Sequence, residues 1–386
     1  MADVRLTVSV SPHIRSGETT QDIMKWVLIA LLPTAVRAAT LFGFTGVSVM
    51  AIGVVTALFC EVIWHNLRVG KGRSRTWGAL AASLVVPAGA SFAGLGTAAP
   101  ILTTAVMLAF IACEVWMKRK GEAPHVFDGS AAVTGLLLAL VLPPRVPWWI
   151  PFVGSFVAIS LGKEIFGGLG YNVFNPALVA RAILLLSWPR YITAGWFKAL
   201  SVDITASATS AATNAAVDAT SIATPLAVAR ATGGAGLAGF YLPLLWENTA
   251  GCVGEVSGLL LLIGGGILIW KRIIGWEIPV TYLGTMAVLS LALGLDPVFQ
   301  VLAGGALLGA IFMATDYVTS PVTSKGRLVF GVMCGALTMI LRVYSKAPEG
   351  VTSAILFMNM LTPLIDRSLR PRPFGVGGSG GGKNAR

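Results

Sequence analysis

Charge is what this sequence is short of. Only 12% of its 386 residues are Asp, Glu, Lys or Arg, about half the share found in a soluble globular chain. Ligands for metals and for redox metals are scarce too. The four cysteines (Cys60, Cys113, Cys252, Cys334) lie far apart in apolar stretches with no C-x-x-C, and the three histidines (His13, His65, His125) are scattered. That spacing argues against a disulfide framework, a zinc site, bis-histidine haem or an iron–sulfur cysteine set on this chain alone. A Gly-rich phosphate loop between a strand and a helix is missing, and with it a nicotinamide site. Nothing at the start reads as a cleavable signal: residues 1–23 are polar, and the first apolar run has no small-residue cleavage site after it.

What is present is apolar sequence in quantity. Hydrophobic residues make up 55% of the chain and the mean hydropathy is +0.79, which places it in a bilayer. Its net charge of +11 could suggest nucleic acid, but Lys and Arg gather in short loops at the ends of apolar segments, the positive-inside pattern. A span needs about 20 apolar residues, fewer where a helix is broken or re-entrant. On that criterion spans fall near 24–44, 46–66, 76–96, 101–117, 129–142, 149–166, 176–188, 254–270, 278–295, 299–315, 328–342 and 351–366.

Loop charges test that reading. Basic segments occur at Arg5/Arg15/Lys25, Arg68/Lys71/Arg73/Arg75, Lys118/Arg119/Lys120, Lys163, Lys271/Arg272, Lys325/Arg327 and Arg367/Arg370/Arg372. All share one side if there are about twelve spans with both termini cytoplasmic. The expected fold is therefore an all-α polytopic membrane protein. It comprises a cytoplasmic segment 1–23, a first transmembrane half 24–188, an extracytoplasmic segment 189–253, a second half 254–366 and a Gly-rich cytoplasmic tail 367–386.

Two repeats are visible. Phe59-Cys-Glu-Val-Ile-Trp64 resembles Ala112-Cys-Glu-Val-Trp-Met117, and Ala79-Leu-Ala-Ala-Ser-Leu-Val-Val-Pro87 resembles Gly135-Leu-Leu-Leu-Ala-Leu-Val-Leu-Pro143, so a helix pair over 68–120 reads as duplicated. A weaker repeat relates the halves: Thr134-Gly-Leu-Leu-Leu to Ser257-Gly-Leu-Leu-Leu, Trp149-Ile-Pro151 to Glu277-Ile-Pro279, and Asn175-Pro-Ala-Leu-Val-Ala-Arg181 to Ser320-Pro-Val-Thr-Ser-Lys-Gly-Arg327. The copies run in opposite directions across the membrane, as in inverted repeats that place a site at broken helices. The plainer reading is that short apolar words recur by chance.

Within 189–235, rich in Ala, Ser and Thr, stands Asp218-Ala-Thr-Ser221-Ile-Ala223-Thr224-Pro225-Leu226. A Ser/Thr-rich loop is ordinarily a solvated linker. This stretch, however, matches the D-x-x-[ST]-x-A-T pattern at which a flavin transferase esterifies a threonine with the phosphate of FMN. Asp218, Ser221 and Ala223 fill its fixed positions and Thr224 is the acceptor. Further words are Ser11-Pro-His-Ile-Arg-Ser16, Asp128-Gly-Ser130, Gly167-Gly-Leu-Gly-Tyr-Asn172-Val-Phe-Asn175-Pro-Ala-Leu-Val-Ala-Arg181, Gly254-Glu255-Val-Ser257, Ala314-Thr-Asp316-Tyr-Val-Thr-Ser-Pro321 and Asn359-Met-Leu-Thr-Pro363-Leu-Ile-Asp366. Together they make the chain resemble the D subunit of Rnf-type ion-translocating oxidoreductases, sister to the B subunit of sodium-pumping NADH:quinone reductases.

The resemblance implies a family core of ten helices, here with the duplicated pair added. It implies covalent FMN on Thr224 and a second flavin, riboflavin, held without a bond near the cytoplasmic side, with Asn172 and Asn175 as candidate ligands. Their amides could meet the carbonyl and N–H edge of an isoalloxazine; equally, they could satisfy backbone exposed at the Gly167–Gly170 break. It also implies partner subunits that carry iron–sulfur clusters and handle ferredoxin and NAD, a flavin transferase for maturation, a bacterial or archaeal cytoplasmic (inner) membrane, and Na⁺ or H⁺ transport coupled to electron flow. The chain would then be one subunit of a translocase, not a complete enzyme. No catalytic or metal residue is assigned to it.

Charged residues inside spans are costly, about 2.5 to 3.5 kcal/mol at a helix centre. Arg37, Glu61, Glu114, Arg181, Glu255 and Asp316 qualify by position. Glu61 and Glu114, near Trp64 and Trp116, read as snorkelling. Glu255 and Asp316 read either as lining an ion path or as helix caps. Two other functions compete with the redox subunit: a plain channel or transporter without redox activity, which has no use for the Asp218–Thr224 pattern, and an inert scaffold, in which Thr224 is freely substitutable.

Overall fold

The computed structural model describes residues 19–69, 98–118, 128–193, 226, 229, 241–246, 251–345 and 350–370. Among them all regular structure is helical. Every expected span coincides with a helical segment except 76–96, which lies outside the described residues, and 299–315, which is broken. Two segments, Thr20–Arg68 and Ser324–Tyr344, are long and apolar enough to cross a membrane unaided; others such as Pro100–Ala112 and Gly258–Trp270 are apolar but shorter.

The first element, α1 (Thr20–Val69), starts from a reciprocal cap: Thr19 Oγ1 accepts from Asp22 N at 3.2 Å while Asp22 Oδ2 accepts from Thr19 N at 3.3 Å. The Thr19 hydroxyl, which donates to Asp22 Oδ2 at 2.6 Å, together with Lys25 and the Thr19 N–H, holds the Asp22 carboxyl below its ordinary range. Helical geometry fails at Gly43, whose φ of 56° and ψ of −137° are open only to glycine. The break reverses the chain. Met24 packs against Gly129 and Glu61 shares Lys163 with Ser130, so residues 24 and 61 both meet the start of the same helix. A straight helix would hold them about 55 Å apart.

That helix, α3 (Ser130–Leu140), follows α2 (Ala98–Lys118). It lies close against the second arm of α1: a Cβ on Gly135 would sit 2.6 Å from the Gly53 carbonyl oxygen, the small-residue approach typical of membrane helices. Next comes α4 (Trp149–Ile159), which opens into a π-helical turn, Ser160–Glu164, before a loop and α5 (Pro176–Ser187).

The second half shares part of this order. After α6 (Gly258–Trp270) and α7 (Glu277–Ala292), α8 (Pro297–Leu302) stops at Gly304 and Gly305, both with positive φ. The chain resumes as a helical turn, Ala306–Leu308, then a π-helical turn, Gly309–Met313, then a loop, α9 (Ser324–Tyr344) and α10 (Val351–Ser368). In each half a π-helical turn therefore leads through a loop to a side-chain-capped helix, with Asn175 capping α5 and Thr323 capping α9. The two breaks touch, because Asn175 Nδ2 donates to the Met313 carbonyl at 3.2 Å.

Candidate functional site

A cavity opens where the two breaks meet. It is walled by Ser130 and Leu137 of α3, Lys163 of the first π-helical turn, Asn172 and Asn175 of the first loop, Phe312 of the second π-helical turn, and Thr315 and Asp316 of the second loop. About 730 Å³ lies between its walls, mouth included, but only about 80 Å³ admits a free water, so the space is narrow. π-helical turns recur at functional sites because the extra residue per turn displaces side chains from the regular helical face.

The asparagine pair Asn172 and Asn175, and Asp316, which the sequence singles out on different grounds, line this one cavity. Their tasks differ. Asn175 Oδ1 accepts from Ala177 N at 3.1 Å and Leu178 N at 3.3 Å, and its Nδ2 is taken by Met313. Asn175 is thus an N-cap with Pro176 at the first helical position. Its backbone N–H reaches Asn359 Oδ1 at 3.1 Å when that amide is turned to suit both its neighbours. Asn172 is 5% exposed and, among the described residues, spends only Nδ2, on the Phe174 carbonyl at 3.1 Å. Asp316 caps its own turn, accepting from Val318 N and, at 3.3 Å, from Thr319 Oγ1.

Lys163 is the residue that sequence reasoning passed over, by counting it among loop charges. It is buried: Nζ donates to Glu61 Oε1 and to Ser130 Oγ, both at 2.6 Å, and Ser130 Oγ donates on to Asp128 Oδ1 at 2.6 Å. The signal was a lysine inside the apolar stretch 149–166. Glu61 must be corrected with it. Glu61 does not snorkel; its side chain is 8% exposed against 4% for Lys163, because the first π-helical turn packs against it and brings in a counter-charge. A second hollow, of about 150 Å³, lies behind the pair and is lined by Glu61, His65, Arg68, Asp128, Lys163 and Glu164 among others. There Arg68 Nη2 meets Glu164 Oε2 at 2.7 Å.

Glu255 lies elsewhere, at the other end of α3. Its carboxylate faces Gly305, at the start of the helical turn Ala306–Leu308, with the charges of Arg181 and Arg342 acting on it. Arg181 Nη1 donates to the Val141 carbonyl at 2.6 Å, and Arg342 Nη2 to the Ala303 carbonyl at 2.8 Å. These guanidinium groups satisfy carbonyls left at helix ends. Asp218, Ser221, Ala223 and Thr224 lie outside the described residues. Leu226, two positions past Thr224, is buried with Ala229, Leu244, Phe299 and Ala303, against Gly304 and beside Arg342.

Apolar helices and a polar-lined cavity between two helix breaks are the marks of a membrane protein with polar groups held inside it. The chain belongs to the NQR2, RnfD, RnfE family, whose model matches residues 7–90 and 71–375. The two matched stretches share residues 71–90, inside the helix pair read as duplicated. A relative from Acetobacterium woodii, the D subunit of the "Na(+)-translocating ferredoxin:NAD(+) oxidoreductase complex", is 39% identical over 97% of both chains. The D subunit of the "Proton-translocating ferredoxin:NAD(+) oxidoreductase complex" of Clostridium ljungdahlii is 36% identical over 96% of both. The D subunit of the "Ion-translocating oxidoreductase complex" of Stutzerimonas stutzeri is 41% identical over 65% of this chain and 77% of its own.

Proposed function

We propose that this chain is the flavin-carrying membrane subunit of a complex that passes electrons between ferredoxin and NAD and couples their flow to Na⁺ or H⁺ transport. The observation that carries this reading is the near full-length similarity to the D subunits of such complexes. The Asp218–Thr224 pattern in the segment opposite the basic loops supports the flavin assignment.

On this reading Thr224 holds FMN through a phosphoester. A riboflavin without a covalent bond sits in the cavity between the breaks. Asn172, with an amide carbonyl still available, and Lys163 suit the carbonyl and N–H edge of its ring, and a narrow space suits a planar ring. Asn175 shapes that site by capping α5. Bound flavin supplies one-electron chemistry; the chain's residues orient the rings and set their surroundings. Glu255 and Asp316 remain candidates for an ion path.

The chain crosses a bacterial or archaeal cytoplasmic membrane about twelve times with both termini inside, and partner subunits supply iron–sulfur clusters and the ferredoxin and NAD sites. A channel or transporter would use the same repeat but gives the Asp218–Thr224 pattern no role. Expression of wild type and Thr224→Ala with a flavin transferase tests the assignment. The variant should enter the membrane in equal amount and lose in-gel flavin fluorescence; retained fluorescence would overturn it.

A further inference from the structure

The placement of the Lys163–Glu61 pair is costly. Both side chains are more than nine-tenths buried, and a buried ion pair gives little net stability over an apolar pair of like volume. Ionisable groups kept within membrane segments generally serve a function. An ammonium has three N–H donors; among the described residues Lys163 uses two, on Glu61 and Ser130. Lys163 also borders both the cavity between the breaks and the hollow behind it. Among the lining side chains, Lys163 brings a positive charge and Asp316 a negative one. Asp316 is occupied with its own turn.

We propose that Lys163 is a positioning residue for a flavin in this cavity, its remaining N–H holding the carbonyl edge of the ring while Glu61 balances its charge from behind. The proposal rests on the reading that riboflavin occupies the cavity. The π-helical turn fixes Lys163 at the wall, Ser130 and Glu61 fix Nζ from two sides, and the third donor is left for the ligand. A positive charge at that edge favours a ring that has gained electrons, so Lys163 raises the midpoint potential of the bound flavin and Glu61 moderates the rise.

The test uses the full chain in lipid nanodiscs, stripped of extractable flavin and titrated with riboflavin, with bound riboflavin then followed in a redox titration. The variants are Asn172→Leu, Glu61→Gln, and Lys163→Met combined with Glu61→Gln so that no carboxylate is left buried alone. Glu61→Gln should bind riboflavin within about threefold of wild type and show a higher midpoint, since the donor remains and its counter-charge is gone. The double variant should bind about tenfold more weakly or worse, the loss of one charge-assisted hydrogen bond, and any flavin it holds should show a lower midpoint than in wild type. Wild-type affinity and potential in the double variant, with binding lost in Asn172→Leu, would overturn the role of Lys163 and leave the cavity assignment standing. Wild-type binding in both would overturn the two together. If the double variant does not accumulate, Glu61→Gln decides alone: an unchanged midpoint overturns the proposal.

Discussion

Asn172 and Asn175 stand three positions apart and line one cavity, yet only one of them spends its whole amide on the backbone. Asn175→Ala removes the α5 cap and the bond to Met313, which should lower stability by about 1 to 2 kcal/mol. Asn175→Ser, which keeps a capping hydroxyl, should recover about half of that loss, as read by thermal unfolding in detergent. Asn172→Leu should leave the unfolding temperature within a few degrees of wild type and abolish riboflavin binding. The asparagines were legible as a pair, and Asn175-Pro176 carried a cap signature; the division of labour was not, since it depends on where Met313 lies. Lys163 was legible as a charge within an apolar stretch, but its partner Glu61 is distant in sequence. Only the fold brings the two within 2.6 Å.

At the scale of elements, the fold turns on glycines that let backbones reverse or touch. A Cβ on Gly135 would meet the Gly53 carbonyl at 2.6 Å and the Ala57 methyl at 2.9 Å. Gly135→Leu should therefore push α3 off α1 and sharply reduce folded protein extracted from membranes, whereas Gly266→Ala, with open space around it, should not. Helix positions were close to legible, because apolar run length sets them; α7 was expected at 278–295 and occupies Glu277–Ala292. The breaks were less so. π-helical turns and positive-φ glycines leave no mark on hydropathy, so the repeat read from words aligned Pro176 with Pro321. In the structure the helices after the two breaks are capped by Asn175 and Thr323.

At the scale of the molecule, α3 separates two polar centres. Its start carries Ser130, bound to Lys163, and past its end Val141 accepts from Arg181, near Glu255. Eleven residues make that separation about 16 Å. Cysteine labelling from either side of the membrane should make Lys325→Cys reactive from the cytoplasm and Ser210→Cys reactive only from outside; the opposite pattern would invert the topology. Sequence charge alone carries that sidedness, and the described structure adds the distance. If the two proposed flavins lie on opposite sides of the membrane, electrons must cross it and return, and ion movement can be coupled to that traverse. The most direct measurement is the intact mass of the chain expressed with a flavin transferase, followed by peptide mapping. A gain of one FMN less one water on the peptide that contains Thr224 is the expected result; an unmodified chain, or flavin on another residue, would contradict it.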